Sequence, residues 1–199
     1  MILKKNILIK LSCVVIVLTL LSFIGINCKY KYFHPNQKYF IGEIIDSYNG
    51  VSVFYNGNAG NVFERNLSED GYNLGLKYQC VEFIKRYYFE TFDHKMPNSW
   101  GNAVDFFDVK LSDGQFNSER GLNQYRNPSN KKPEVNDILV YKGNIGHVSI
   151  ITNITGNKIE IIQQNPGRFG KSREKLDLKN VNGLWEIKNT KILGWLRKE

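Results

Sequence analysis

Two side chains in this chain are of the kinds that nucleophilic acyl chemistry requires. Cys80 sits in Tyr78-Gln79-Cys80-Val81-Glu82-Phe83-Ile84-Lys85-Arg86-Tyr87-Tyr88, and His147 in Gly146-His147-Val148-Ser149-Ile150. A thiol attacks as its thiolate. It needs a base to take its proton and later hand it to the leaving group. That base needs a third group to fix its tautomer. Phe83, Ile84, Tyr87 and Tyr88 fall three and four residues apart, the spacing of one side of a helix. Cys80 therefore lies at or near a helix start, where the positive end of the backbone dipoles favours the thiolate. The plainer alternative is that Cys80 is a small apolar core residue, as most free cysteines are. His34 and His94 fall in tether and loop and are read as incidental.

A hairpin can supply the third group. Gly146 to Thr152 and Lys158 to Gln164 read as strands joined around Thr155-Gly156-Asn157. With an odd loop centred on Gly156, paired residue numbers sum to 312. His147 then faces Asn165, and Gln163 lies diagonally on the same sheet face. An even loop puts Gln164 on that face instead. Sequence leaves the parity open.

The elements that must hold these residues are those of one domain. The chain has 199 residues with 42% hydrophobic and 13% aromatic content, enough for one sizeable core. Ile44 to Tyr55 gives two short strands about Asn49-Gly50, a hairpin signal. Residues 56–75 read as a long surface loop, and Ser99 as the cap of a helix through about Val109 with Trp100, Ala103, Val104 and Phe107 inward. Residues 112–132 read as polar and irregular. Ile138 to Tyr141, Trp185 to Lys188 and Ile192 to Leu196 complete a sheet. A helix early and an antiparallel sheet late predict an α+β domain.

Net charge is +8, but Lys4, Lys5, Lys10, Lys29 and Lys31 supply five of the 27 basic residues, with no acid before residue 32. The remaining 22 against 19 acidic residues leave +3, which argues against a nucleic-acid partner. Those lysines flank Leu11 to Asn27, an uncharged apolar stretch of 17 residues. It is short for a spanning helix, for which ~20 are typical, and long for the apolar part of a signal peptide, ~7–15. Residues 1–28 are read as a signal or membrane-anchor segment, with an N-terminal apolar helix, and 29–41 as a tether. Residues 42–199 are read as the folded domain. The expected location is membrane-anchored, facing outside the cytoplasm, with secretion after cleavage as the alternative. Cys13 and Cys28 belong to the apolar segment, so Cys80 has no partner for a disulfide and no cluster for zinc.

Gln79-Cys80-Val81-Glu82-Phe83, Trp100-Gly101-Asn102-Ala103, Pro133-x-x-x-Asp137-Ile138-Leu139-Val140, Gly146-His147-Val148-Ser149-Ile150 and Gln163-Gln164-Asn165 occur in that order. In this order they resemble the CHAP domain family, the cysteine, histidine-dependent amidohydrolases/peptidases. Within it the likeness extends to the glutathionylspermidine amidases through Gly50-Val51-Ser52-Val53 and Ile192-Leu193-Gly194-Trp195. The resemblance implies a papain-like fold (NlpC/P60-CHAP type), with the nucleophile at a helix N-terminus packed on an antiparallel sheet. It implies Cys80 as nucleophile, His147 as general base, and the backbone N–H of Cys80 with Gln79 or Asn165 as oxyanion donors. The family's usual third residue is a glutamate; here it is Gln163, with Asn165 beside it, and an amide can orient an imidazole without balancing its charge. Asn136 also stands where a glycine usually precedes Asp137.

Three functions are weighed. One is an exported cysteine amidohydrolase cutting peptidoglycan peptides through a Cys80 thioester. Another is the same chemistry on a small conjugate such as glutathionylspermidine. A third is a non-catalytic module binding the cell wall or a partner. No cofactor and no metal is called for, and a monomer is expected.

Overall fold

The computed structural model describes residues 38–167 and 170–199. The apolar stretch 11–27 and most of the 29–41 tether lie outside these residues. The chain divides into two compact units at Phe40/Ile41. The second unit, Ile41–Glu199, carries every helix and strand among the described residues.

Strands β1 (Ile44–Tyr48) and β2 (Val51–Phe54) form a hairpin. Its turn residues Asn49 and Gly50 are both left-handed, at φ 49° and 84°, as a type I′ turn requires. β3 (Arg65–Leu67) and β4 (Asn73–Leu76) form a second ribbon, followed by α1 (Cys80–Phe92) and a 3-10 turn (Val104–Phe106). Next come β5 (Gln115–Asn117), β6 (Leu122–Arg126), β7 (Ile138–Tyr141), β8 (His147–Thr155), β9 (Lys158–Ile162), β10 (Arg173–Val181), β11 (Leu184–Ile187) and β12 (Ile192–Arg197). These eight form one sheet in the order β11-β10-β9-β8-β7-β12-β6-β5, with every pairing antiparallel.

α1 lies on the centre of this sheet. Its Phe83, Ile84, Tyr87 and Tyr88 pack with Ile138 and Val140 of β7 and Val148 and Ile150 of β8. The intervening Leu139, Tyr141 and Ile151 join Ile159, Ile161 and Trp195 in a second cluster. All four residues of β7 are therefore buried, which is why this strand reads as an unbroken apolar run. Burying each such side chain contributes roughly 1.5–3 kcal/mol. α1 ends at Asp93, left-handed at φ 49°. The Asp93 N–H donates to Phe89 O (3.0 Å) and the His94 N–H to Tyr88 O (3.1 Å), closing the last turn.

The α+β, papain-like expectation is corrected here. Among the described residues there are twelve strands, one α-helix and one 3-10 turn, so the domain is mainly antiparallel β with a single helix. The helix expected from Ser99 does not form. Gly101 is left-handed at φ 109°, and the Asp105 carboxylate takes the Asn102 N–H at 2.7 Å, so the backbone turns once and leaves. Trp100 is 62% exposed and does not face inward. The polar stretches 56–75 and 112–132 hold β3, all but the last residue of β4, and β5–β6. The membrane-anchored location is also corrected: among the described residues no helix is long and apolar enough to cross a membrane. The N-terminal apolar helix on which it rested lies outside those residues.

Candidate active site

α1 begins at Cys80. Gln79, just before it, is extended (φ −88°, ψ 157°) and gives no side-chain cap. Its place is set by Gln164, which is fully buried. The Gln164 Nε2 donates to Gln79 O (3.0 Å) and to Glu82 Oε2 (2.9 Å). The Phe54 N–H donates to Gln164 Oε1 at 2.7 Å. Glu82 also accepts from Arg86 Nε (2.6 Å) and Asn66 Nδ2 (2.9 Å). A buried carboxylate is tolerated only when paired and bonded in this way. Gly75 allows β4 to pass this helix start: a Cβ there would lie 3.1–3.2 Å from Glu82 backbone and side-chain atoms.

Cys80 is 8% exposed and lines a cleft of about 570 Å³ together with Gln79, Gly146, His147 and Asn165. The backbone amides of Val148, Val81 and Cys80 favour the thiolate electrostatically. Burial outweighs all three and pushes the thiol up to about 11. The helix start is where the periodicity placed it, but the thiolate expected from the dipole alone is not the resting form.

Gly146 sets the entry into β8. It is left-handed at φ 76°, and a Cβ there would come within 2.7 Å of Tyr141 O and Val104 N. His147 Nε2 lies 2.9 Å from Gln163 Oε1. The Gln163 amide nitrogen donates to Lys171 O at 3.0 Å, so its oxygen is the end that faces the ring. An amide oxygen only accepts, hence the hydrogen is on Nε2. This leaves Nδ1 as the nitrogen that can take a proton. Burial holds the imidazole below its ordinary range, opposed by the Gln163 bond. The resting pair is a neutral thiol and a neutral imidazole.

The register that joins Gln163 to His147 resolves the parity that the sequence leaves open. The β8–β9 turn is even, with Thr155 opposite Lys158. A bulge between Ile151 and Asn153 adds Thr152 to β8 and shifts the pairing to Ile151 with Ile161 and Ile150 with Ile162. The sum becomes 312 through the bulge and not through an odd loop. Gln164 thus faces the helix, and Gln163 the imidazole. Asn165, left-handed at φ 54°, does not bond His147. Its Nδ2 donates to Gln79 Oε1 (2.7 Å) and Ala59 O (3.2 Å). Gln79 Nε2 donates to Asn61 O at 2.6 Å and, more weakly, to Ala59 O at 3.4 Å. Both amides are thus engaged with the 56–61 loop. Asn136 is left-handed at φ 76°, the conformation a glycine would supply. Its Oδ1 accepts from Tyr87 OH at 2.7 Å, tying that turn to α1.

The structural roles of Gln164, Glu82 and Arg86 were not read from the sequence; the one signal was Gln164 as the even-loop alternative. Among the described residues no group of three His, Cys, Asp or Glu side chains could hold a metal ion.

A cysteine at a helix start, a strand histidine and an amide that fixes its tautomer are the parts of a cysteine, histidine-dependent hydrolase. Residues 69–165 match the CHAP domain family, bearing out the resemblance in the sequence. Trypanothione synthetase of Crithidia fasciculata is 31% identical over 161 residues, 76% of this chain and 23% of that protein. The bifunctional glutathionylspermidine synthetase/amidases of Escherichia coli and Shigella flexneri are each 31% identical over 147 residues, 66% of this chain and 23% of theirs. The chain spans less than a quarter of the length of these relatives. Together these likenesses support an amidohydrolase of the cysteine/histidine type in general.

Proposed function

We propose that this domain hydrolyses an amide through a thioester on Cys80, with His147 as general base and Gln163 holding the imidazole. The observation that carries this reading is the His147–Gln163 bond, which leaves Nδ1 open in the cleft that Cys80 lines. The Cys80 sulfur attacks the carbonyl carbon as its proton moves to Nδ1. The oxyanion forms at the positive end of α1, where the Cys80 N–H can donate to it. Gln79 would add a second by releasing its long bond to Ala59 O. The C–N bond then breaks, the amine leaves with the proton from His147, and the acyl group remains on sulfur. Water, deprotonated by His147, attacks the thioester and frees the acid and the thiol.

The substrate we favour is a small amide conjugate of the glutathionylspermidine kind. The named activities of the relatives support it. A peptidoglycan peptide rested on an exported location and is kept only as a competing substrate. The test is incubation of the full chain and of Cys80→Ala with glutathionylspermidine and with muropeptides, reading released amine by mass. Spermidine release by wild type alone is expected. Equal products from both proteins with either substrate would sink catalysis and leave a binding module.

A further inference from the structure

The cleft around Cys80 and His147 has a marked charge asymmetry. Arg65 is the only charged side chain among its described lining residues, and no carboxylate lines it. Its rim also carries the exposed apolar side chains Val62, Trp100 and Ile145, with the uncharged polar Ser99 and Asn102 between them in the chain. The Arg65 guanidinium lies over the Trp100 ring, 4.5 Å from its centroid. Arg65 Nη1 donates to Asn73 Oδ1 at 3.0 Å. Asn73 is buried and anchored in turn by Nδ2 to Ser99 O at 2.9 Å. Arg86, Arg173 and Arg197 are each neutralised by protein carboxylates. Among the described residues Arg65 has no such partner. A stacked fork fixed on one edge and uncompensated on the other suits a carboxylate, whose two oxygens match its geometry.

We infer that Arg65 is a specificity-determining residue that takes a carboxylate in the acyl half of the substrate. This rests on the proposed substrate class and sharpens it. In a polyamine conjugate the leaving half is cationic, so Arg65 repels that half and the carboxylate must come from the other. The glutathione half fits, because its γ-glutamyl residue keeps a free carboxylate. With no acid among the described residues that line the cleft, the leaving amine is not selected by its charge.

The test uses the full chain carrying Cys80→Ala, so that ligands bind without turnover. Two probes are compared by isothermal titration: glutathione glycine-amide, which keeps one carboxylate, and glutathione diamide, which keeps none. The carboxylate probe is expected to bind about tenfold tighter, the scale of one charge-assisted hydrogen bond. Adding Arg65→Gln should erase that ratio while leaving diamide binding unchanged, and Arg65→Lys should restore part of it. A ratio near one without the Arg65 change, a ratio that survives Arg65→Gln, equal weakening of both probes, or no binding of either overturns the inference. Hydrolysis of glutathionylspermidine by wild type alongside any of these leaves the proposed function standing. A carboxylate preference that depends on Arg65, without any hydrolysis, overturns only the function.

Discussion

Gln163→Glu tests how the imidazole is held. Gln163 is 5% exposed, with its oxygen 2.9 Å from His147 Nε2 and its nitrogen bonded to Lys171 O. A carboxylate in its place faces the ring with a negative charge. At ~4 Å between charge centres and an effective dielectric near 20, the attraction for an imidazolium is about 4 kcal/mol. Desolvation of the buried carboxylate offsets part of this. A raised His147 pKa is the expected net result. The carboxylate cannot donate to Lys171 O, so one bond is lost and two oxygens face each other. That should lower stability by about 1–3 kcal/mol without unfolding the domain. Nitrogen-detected NMR of the imidazole reports the titration, and urea unfolding the stability. The acid limb of kcat/KM should move up with the His147 pKa, while activity at alkaline pH is not reduced. An unmoved His147 titration would refute the idea that the ring rests on residue 163. A marked loss of activity at every pH in a folded variant would show that the amide N–H to Lys171 is itself required.

Iodoacetamide labelling of Cys80 should climb with pH through 9 without a neutral plateau, because burial pushes the thiol up to about 11. Amide turnover should instead level off near neutrality, since the depressed His147 is already unprotonated there; matching profiles would argue for a preformed ion pair. Gly146→Ala should lower thermal stability and cut kcat more than KM, as its Cβ meets Tyr141 O and Val104 N at 2.7 Å; wild-type values for both would show that this turn can shift freely. Ile84→Ala, at a fully buried position under the sheet, should cost about 2–5 kcal/mol in urea unfolding. A loss below about 1 kcal/mol would mean that α1 is not held by its apolar face.

Much of the site was legible because its signals are local. The three-and-four spacing after Cys80 marked α1, the apolar run at Ile138 to Tyr141 marked β7, and Asn49-Gly50 marked the first hairpin. What escaped depends on contacts distant in sequence. No local feature announces that Thr152 bulges, yet the bulge decides whether Gln163 or Gln164 faces His147. Residues 112–132 are polar, but Leu122 and Tyr125 are buried once β6 pairs with β12. The burial that raises the Cys80 thiol comes from contacts distant in sequence and outweighs the helix dipole. The helix expected after Ser99 failed on one glycine that the pattern alone allows.

The Gln164 amide also bears on what counts as the working unit. Its oxygen is met by Phe54 and its nitrogen by the start of α1. The family match runs from 69 to 165, so one anchor of the nucleophile lies upstream of it, on a ribbon outside the large sheet. A fragment trimmed to the matched stretch would keep Cys80, His147 and Gln163 while leaving a buried carbonyl oxygen without its donor. The smallest competent piece must therefore reach back through β1 and β2. Local opening of that hairpin becomes a way of loosening the thiol.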